Sequence, residues 1–342
     1  MNLKQLSERL NLSQTTVSRA LNGYPEVNEG TRKRVAAAAA KYRYHPNVRA
    51  RTLATGRSMS IGHVIPLSQQ VELVNLVFSD FVAGAGVIYA EHGYNMTLTI
   101  VQDVDELDAY RRLSEHGAVD GVIVQAPARD DQRISFLSDL KIPFVVHGRA
   151  TAVTAPYAWL DVNNKSAFQT GTEYLISLGH HRIALVNGQE KMDFAIRRRE
   201  GYTEAVMSAG LSLDQNLMSS ADMSEPNGYA AACRFLDLDD PPTAFIASSI
   251  VLALGIKRAI RERGLRLGVD VSVLSYDDDI SYLPNTGDTP LFTTMRSSVK
   301  AAGAHCARML IDLITTPDAP LPTELWEAEF VLGTSTGPGP FA

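Results

Sequence analysis

The sequence predicts an all-α headpiece of three short helices joined to a larger two-lobed α/β domain built on parallel sheets. Three observations carry this. Apolar residues recur at spacings of three and four over the first 45 positions. From Ile61 onward, apolar runs alternate with helical stretches, in two successive series. The formal charge of -6 also divides unevenly, with eleven Lys/Arg and three acids giving +8 over residues 1–57 and leaving −14 for the remainder. At 342 residues, 45% hydrophobic and 20% charged, the chain has the composition of a globular protein of two or three domains, which excludes disordered and collagen-like chains.

In the first segment Leu3, Leu6 and Leu10 mark one helix, Val17, Ala20 and Leu21 a second, and Val35, Ala39 and Tyr42 a third. Asn11 falls where the chain must reverse, a position at which Asn tolerates the left-handed conformation. Ser13 is placed to cap the second helix and Asn28 the third. Gly23, with Pro25 beyond it, ends the second helix, and Pro46 stops the third.

Helix, tight turn, helix and supporting helix form the arrangement that lays the second helix in a DNA major groove. Gln14 and Thr15, the first positions after the cap, then point outward. Val17 and Leu21 face the small core, and Arg19, one turn on, can reach a guanine edge with two hydrogen bonds. Thr16 and Ser18 suit phosphate, which fixes register without reading sequence, and Ser13 at the cap is counted with them among the DNA contacts. The plain alternative for each is a solvent-exposed polar residue; charge, spacing and turn chemistry together favour the DNA reading.

These residues also carry a family likeness. LSQTTVSRALNG, VNEGTRKRV and YRYHPNVRARTLATGRS resemble the headpiece motifs of the lactose/galactose repressor family of bacterial transcription regulators. The resemblance implies a DNA-binding headpiece over 1–47 and a hinge helix over 48–57 that orders on DNA. Leu53 would be an apolar wedge in the minor groove, with Asn22, Asn47 and Ala50 among the DNA contacts. A lone Leu among Arg49, Arg51, Thr52 and Thr55 has little local core to join, which suits a wedge. A flexible linker is the alternative for this stretch.

In the acidic bulk the first series runs through IGHVI, TLTIV, DGVIVQ and PFVVH, and the second through AWLDV, RIALVNG, TAFIAS and VSVLSYD. Near-continuous apolar strands between helices indicate parallel sheets covered on both faces, and two series imply two lobes. Ligands of such sheets bind beyond the carboxyl ends of the strands. Gln125, His147, Arg149, Gly188, Ser248, Ser249 and the acids Asp277 to Asp279 stand at those ends.

Here too LGHHRIALVNG, RREGYTEA, SVLSYDD and LFTTMRSS resemble the same family's sensor region, itself similar to periplasmic sugar-binding proteins. The expected domain is a periplasmic-binding-protein-like effector and dimerisation domain over 58–337. Its first lobe would span about 60–158 and 292–316, its second about 159–288 and 322–334. By position, Arg198 and Asp277 are the implied effector contacts: a guanidinium donates to two oxygens and a carboxylate accepts from two hydroxyls. Where the family usually has Asn-Asp, this chain has Ser249-Ile250, so a direct amide contact is lost; either Ser249 reaches a ligand hydroxyl through water, or the ligand sits elsewhere. Phe78 and Trp159 are candidates to cover an apolar sugar face, with a core or lobe-interface role as the alternative. Arg149 in IPFVVHGR resembles regulators of α-glucoside utilisation; a surface ion pair is its plainer reading.

Enzymatic signals are weak. His180 and His181 are adjacent and cannot share one helical face, GAG at 84–86 lacks the rest of a dinucleotide fingerprint, and no phosphate loop or nucleophile elbow occurs. No cofactor, metal or catalytic residue is expected. Cys233 and Cys306 cannot form a disulfide framework, no stretch approaches the ~20 apolar residues of a membrane span, and the amino terminus has no apolar signal core, so a cytoplasmic protein is expected. The whole reading is a repressor of a sugar-utilisation operon, acting as a homodimer on a pseudo-palindromic operator under a small-molecule effector. The alternatives are a regulator answering to a purine or other metabolite, or a sugar-binding receptor without regulatory function.

Overall fold

The computed structural model describes residues 1–21, 24–42, 44, 57–66 and 76–342. Asn22, Asn47, Ala50 and Leu53 lie outside them, as does nearly all of the expected hinge helix. Two units divide at Met59 and Ser60.

The first unit holds helices α1 (Leu3–Leu10), α2 (Gln14–Leu21) and α3 (Glu29–Lys41). Asn2 caps α1 through a reciprocal capping box with Gln5, and Asn11 closes it in the left-handed region at φ 52°. The Ser13 hydroxyl accepts from the Thr16 N–H at 3.0 Å, and Asn28 Oδ1 accepts from the Thr31 N–H at 2.8 Å, as the sequence indicates. Leu6, Leu10, Val17, Ala20, Val27, Val35, Ala39 and Tyr44 form the core. Part of the basic charge is spent on this scaffold. Arg32 Nη2 donates to the Tyr24 and Val27 carbonyls, Arg34 to that of Leu10, and Arg9 lies 4.6 Å over the Tyr42 ring.

In the second unit, one six-stranded sheet contains β1 (Ser60–Pro66), β2 (Asn95–Val101), β3 (Gly121–Gln125), β4 (Phe144–His147), β5 (Ala158–Val162) and β11 (Thr323–Trp326), in the order β11-β5-β4-β3-β1-β2. All its pairings are parallel. The other contains β6 (Ile183–Asn187), β7 (Met218–Ser220), β8 (Ala244–Ala247), β9 (Ser272–Asp277), β10 (Thr293–Arg296) and β12 (Glu329–Val331), in the order β12-β10-β9-β8-β6-β7. Only β12 is antiparallel to its neighbour.

Helices α4 (Leu76–Glu91), α5 (Glu106–Glu115), α6 (Gln132–Asp139) and α11 (Val299–Thr315) belong with the first sheet. The helices α7 (Asn164–Ser177), α8 (Asp193–Ser208), α9 (Glu225–Leu236) and α10 (Ile250–Glu262) cover the second. Helices α4 and α11 cross so closely that a Cβ on Gly84 would stand 1.9 Å from the Lys300 carbonyl oxygen, and one on Gly303 2.0 Å from that of Phe81. The glycines at 84 and 303 therefore serve helix packing, and GAG is no nucleotide fingerprint.

Sheet membership differs from the expected lobe bounds at three places. β5 begins the second apolar series in the sequence, yet it pairs with β4 in the first sheet, Val145 opposite Ala158. β10 stays in the second sheet, and it is α11 that returns to the first. The expected return segment after 322 is split, β11 joining the first sheet and β12 the second. A strand–helix repeat identifies strands but carries no mark of which sheet each enters. The chain passes between lobes after β5, after β10 and after β11, giving three crossovers.

Candidate functional site: the cleft between the lobes

The carboxyl ends of the two sets of parallel strands face a common cavity of about 210 Å³. From the first lobe come Phe78 near the start of α4, Gln125 ending β3, His147 and Arg149 at and beyond the end of β4, and Asp161 on β5. From the second come Asn164, Phe194, Arg197, Arg198, Tyr276 and Asp278.

Arg198 projects from α8, whose Asp193 favours the helix N-terminus by charge. Its Nε donates to Asn164 Oδ1 at 2.7 Å and its Nη1 to the Ser248 carbonyl at 2.6 Å. The guanidinium lies 3.9 Å from the Tyr276 ring centroid, 4.9 Å from that of Phe194 and 5.2 Å from that of Phe168. Burial lowers its pKa from the ordinary arginine value. Burial likewise lifts the Asp278 carboxyl to about 6, against the pull of Arg198. His147 packs against Phe81 at 4.7 Å between centroids, and burial lowers its pKa to about 4, so the ring is neutral near neutral pH.

A chain of ion pairs runs along the cavity wall. Arg149 Nε donates to Asp161 Oδ2 at 2.8 Å, Arg197 Nη1 lies 2.7 Å from the same oxygen, and Arg197 Nε donates to Asp193 at 2.5 Å. Asp193 also accepts from the Thr151 N–H at 3.0 Å. This ties α8 of the second lobe to the first, and the Asp193 N–H adds a bond to the Pro127 carbonyl at 3.0 Å.

Of the sequence-expected contacts, Phe78, Gln125, His147, Arg149 and Arg198 meet in the cavity, whereas Trp159, Ser249 and Asp277 do not line it. Asp277 is 1% exposed; Arg296 Nε donates to its carboxylate at 3.2 Å, and it accepts from the Asp279 N–H at 2.8 Å. The acid that lines the cavity is its neighbour, Asp278. Ser249 is the cap of α10, its hydroxyl accepting from the Leu252 N–H at 3.2 Å. Trp159 packs on the first-lobe core with the Arg149 guanidinium 5.0 Å from its ring. Sequence reasoning missed Asp161, Asn164, Arg197 and Tyr276, although the strand-end rule applied to AWLDV points at Asp161; it placed Asp278 at a strand end with Asp277 but took Asp277 as the contact.

His180 is structural, as its turn position suggests: its Nδ1 is 2.9 Å from Thr243 Oγ1 and its Nε2 2.9 Å from Ser272 Oγ. In the first unit Ser13, Gln14, Thr15 and Arg19 are exposed, while Val17 and Ala20 are buried on the opposite side of α2. Thr16 is half-buried, its hydroxyl bonded to that of Ser13 at 2.8 Å, and Ser18 is half-buried. The outward face of α2 thus has the expected residues.

Comparison with known proteins agrees with both halves of the chain. Residues 2–47 match bacterial regulatory proteins of the lacI family, and residues 172–336 match the periplasmic binding protein-like domain. The chain is 46% identical over 341 residues to the HTH-type transcriptional regulator AglR of Rhizobium meliloti (strain 1021), spanning 99% of this chain and 95% of that protein. Among solved structures it resembles the lac repressor dimer bound to operator and the anti-inducer ONPF, with a TM-score of 0.81, 25% identity and coverage of 98% and 99% of the two chains. It also resembles a complex of the transcriptional regulator CelR with cellobiose, with a TM-score of 0.70, 28% identity and coverage of 98% and 99%. With a helix-turn-helix matched at one end and a two-lobed ligand-binding fold in the rest, the chain belongs to the lacI family of bacterial regulatory proteins and is a DNA-binding transcriptional regulator.

Proposed function

We propose that this regulator is a repressor whose operator affinity is set by a sugar, an α-glucoside, bound in the cleft. The observation that carries the sugar reading is the cavity's mixture of groups: Arg198 as donor, Asp278 as acceptor, and the Phe78, Phe194 and Tyr276 rings as apolar walls. A pyranoside presents the complement, hydroxyls around its rim and C–H groups on its faces. A relative is solved in complex with cellobiose, which supports a sugar as the class of ligand. Arg149, which at the sequence level resembles regulators of α-glucoside utilisation, lines the cavity on its ion pair with Asp161. A purine or other metabolite is the second reading, and the aromatic walls are its only specific support. Catalysis is not part of the proposal, since the family regulates transcription and His147 is engaged with Phe81 rather than with a nucleophile.

The protein acts as a homodimer, because one helix-turn-helix covers one half-site of a pseudo-palindrome. Support for a self-association face comes from β2, an edge strand whose Met96, Leu98 and Ile100 share one face and are 40%, 39% and 49% exposed. We place the protein in the cytoplasm with its DNA; among the described residues no helix is long and apolar enough to cross a membrane. Thermal shift over a panel of α-glucosides, β-glucosides, galactosides and purines tests the ligand class. An α-glucoside should raise the melting temperature most, and stabilisation by a purine alone would overturn the sugar reading.

A further inference from the structure

Arg197 stands one residue before the position that aligns with the family's effector arginine, and it is only 6% exposed. Two edges of its guanidinium are occupied: Nε donates to Asp193 and Nη1 faces Asp161. The planar fork then fixes where the remaining amino group points. That group, Nη2, is buried and has no hydrogen-bond partner among the described residues, although Arg197 lines the cavity. Gln125, at the end of β3 in the opposite lobe, also lines the cavity and has its Nε2 buried in the same condition. Two buried donors without acceptors border one cavity from its two sides. Leaving a charged donor unsatisfied is costly, and a ligand oxygen removes that cost.

We propose that Arg197 is a second effector-contacting guanidinium, donating from Nη2 to an oxygen of the ligand and selecting for ligands that carry an acceptor there. This rests on the sugar reading of the cleft and adds the residue that discriminates among sugars. A site built to donate to a particular oxygen rejects the analogue that lacks it far more strongly than an apolar wall rejects an extra group. Arg197 also takes part in two of the inter-lobe ties, directly through Asp161 and through Asp193 to Thr151. The bound oxygen therefore shares one guanidinium with the contacts that join the lobes.

The test is calorimetric titration of the full chain with methyl α-glucopyranoside and its single-deoxy analogues. Arg197→Lys keeps a cation between the two acids but cannot present the third donor of the fork. The single-deoxy analogues titrated into the unmodified protein read the same contact without any substitution, so a folding defect in the variant does not leave the assignment open: if no analogue loses affinity, it is overturned. Expected is a loss of about ten- to a hundredfold in affinity in the variant that retains the unliganded melting temperature and operator binding. One deoxy analogue should lose as much on the unmodified protein and nothing further on the variant. Equal affinity of the folded variant and the unmodified protein overturns the Arg197 assignment while leaving the sugar reading intact. Absence of binding by the unmodified protein to every sugar tried overturns the sugar reading and the assignment together.

Discussion

Asp278→Asn should stabilise the protein at neutral pH and lose that advantage in acid. Burial, partly offset by Arg198, raises the Asp278 carboxyl to about 6 from an unfolded value of 3.8. Between those values the folded chain binds more protons than the unfolded chain, so stability falls as pH rises through the window and levels off above it. At 1.36 kcal/mol per unit the full cost of the ionised group is about 3 kcal/mol, of which about half is incurred between pH 5 and pH 8. The residue is half-buried at the cavity wall and water there screens it, which reduces the pH-dependent part to about 1 kcal/mol. Asn is isosteric and carries no charge, so it removes this slope. For a domain of this size about 1 kcal/mol is a shift of roughly 2–4 °C. Thermal unfolding of both proteins from about pH 5 to about pH 8 reads it: the midpoint difference, Asn variant minus unmodified protein, should grow with pH by that amount. A difference that stays constant, or that grows toward acid, would refute the reasoning that burial beside Arg198 governs this carboxyl.

Three further outcomes are expected. Gly84→Ala would bring a Cβ to 1.9 Å from the Lys300 backbone oxygen and should cost about 1–3 kcal/mol in urea unfolding by forcing α4 and α11 apart; an unchanged midpoint would contradict the packing. Asp277→Asn, unlike a change at a ligand contact, should leave sugar affinity within about twofold, because Arg296 and the Asp279 N–H hold Asp277 away from the cavity; a larger loss by calorimetry would put Asp277 in the site. Leu98→Asp puts a charge in the middle of the apolar face of β2 and should give a monomer by light scattering, with weakened operator binding; a dimer of unchanged strength would remove that face from the assembly.

The headpiece was the most legible part of the molecule because its signals are local. Asn11, Ser13 and Asn28 act within three or four residues of themselves, and the sequence shows them directly. The strands of the larger domain were legible too, but not their distribution between sheets: AWLDV reads as the start of a new series and is the continuation of the old one. In the site, the strand-end rule located Gln125, His147 and Arg149, and the motif located Arg198. It failed at the acids because neighbouring side chains at the end of a strand point to opposite sides. Asp277 is in register with Arg296 on β10 and pairs with it, which leaves Asp278 at the cavity wall. Arg197 was hidden for a different reason: its role depends on contacts between lobes, which no local pattern encodes.

The coupling between sugar and DNA is tested most directly by fluorescence anisotropy of a labelled operator duplex, titrated with the full chain with and without saturating α-glucoside. Family membership makes the headpiece a DNA reader, and under the proposal a sugar in the cleft shifts the lobes, so operator affinity should change by about five- to a hundredfold, the range of a coupling energy of about 1–3 kcal/mol. Arg198→Ala should bind operator and lose the response. Operator affinity that is the same with and without a sugar shown to occupy the cleft would contradict the proposal that the cleft controls the headpiece.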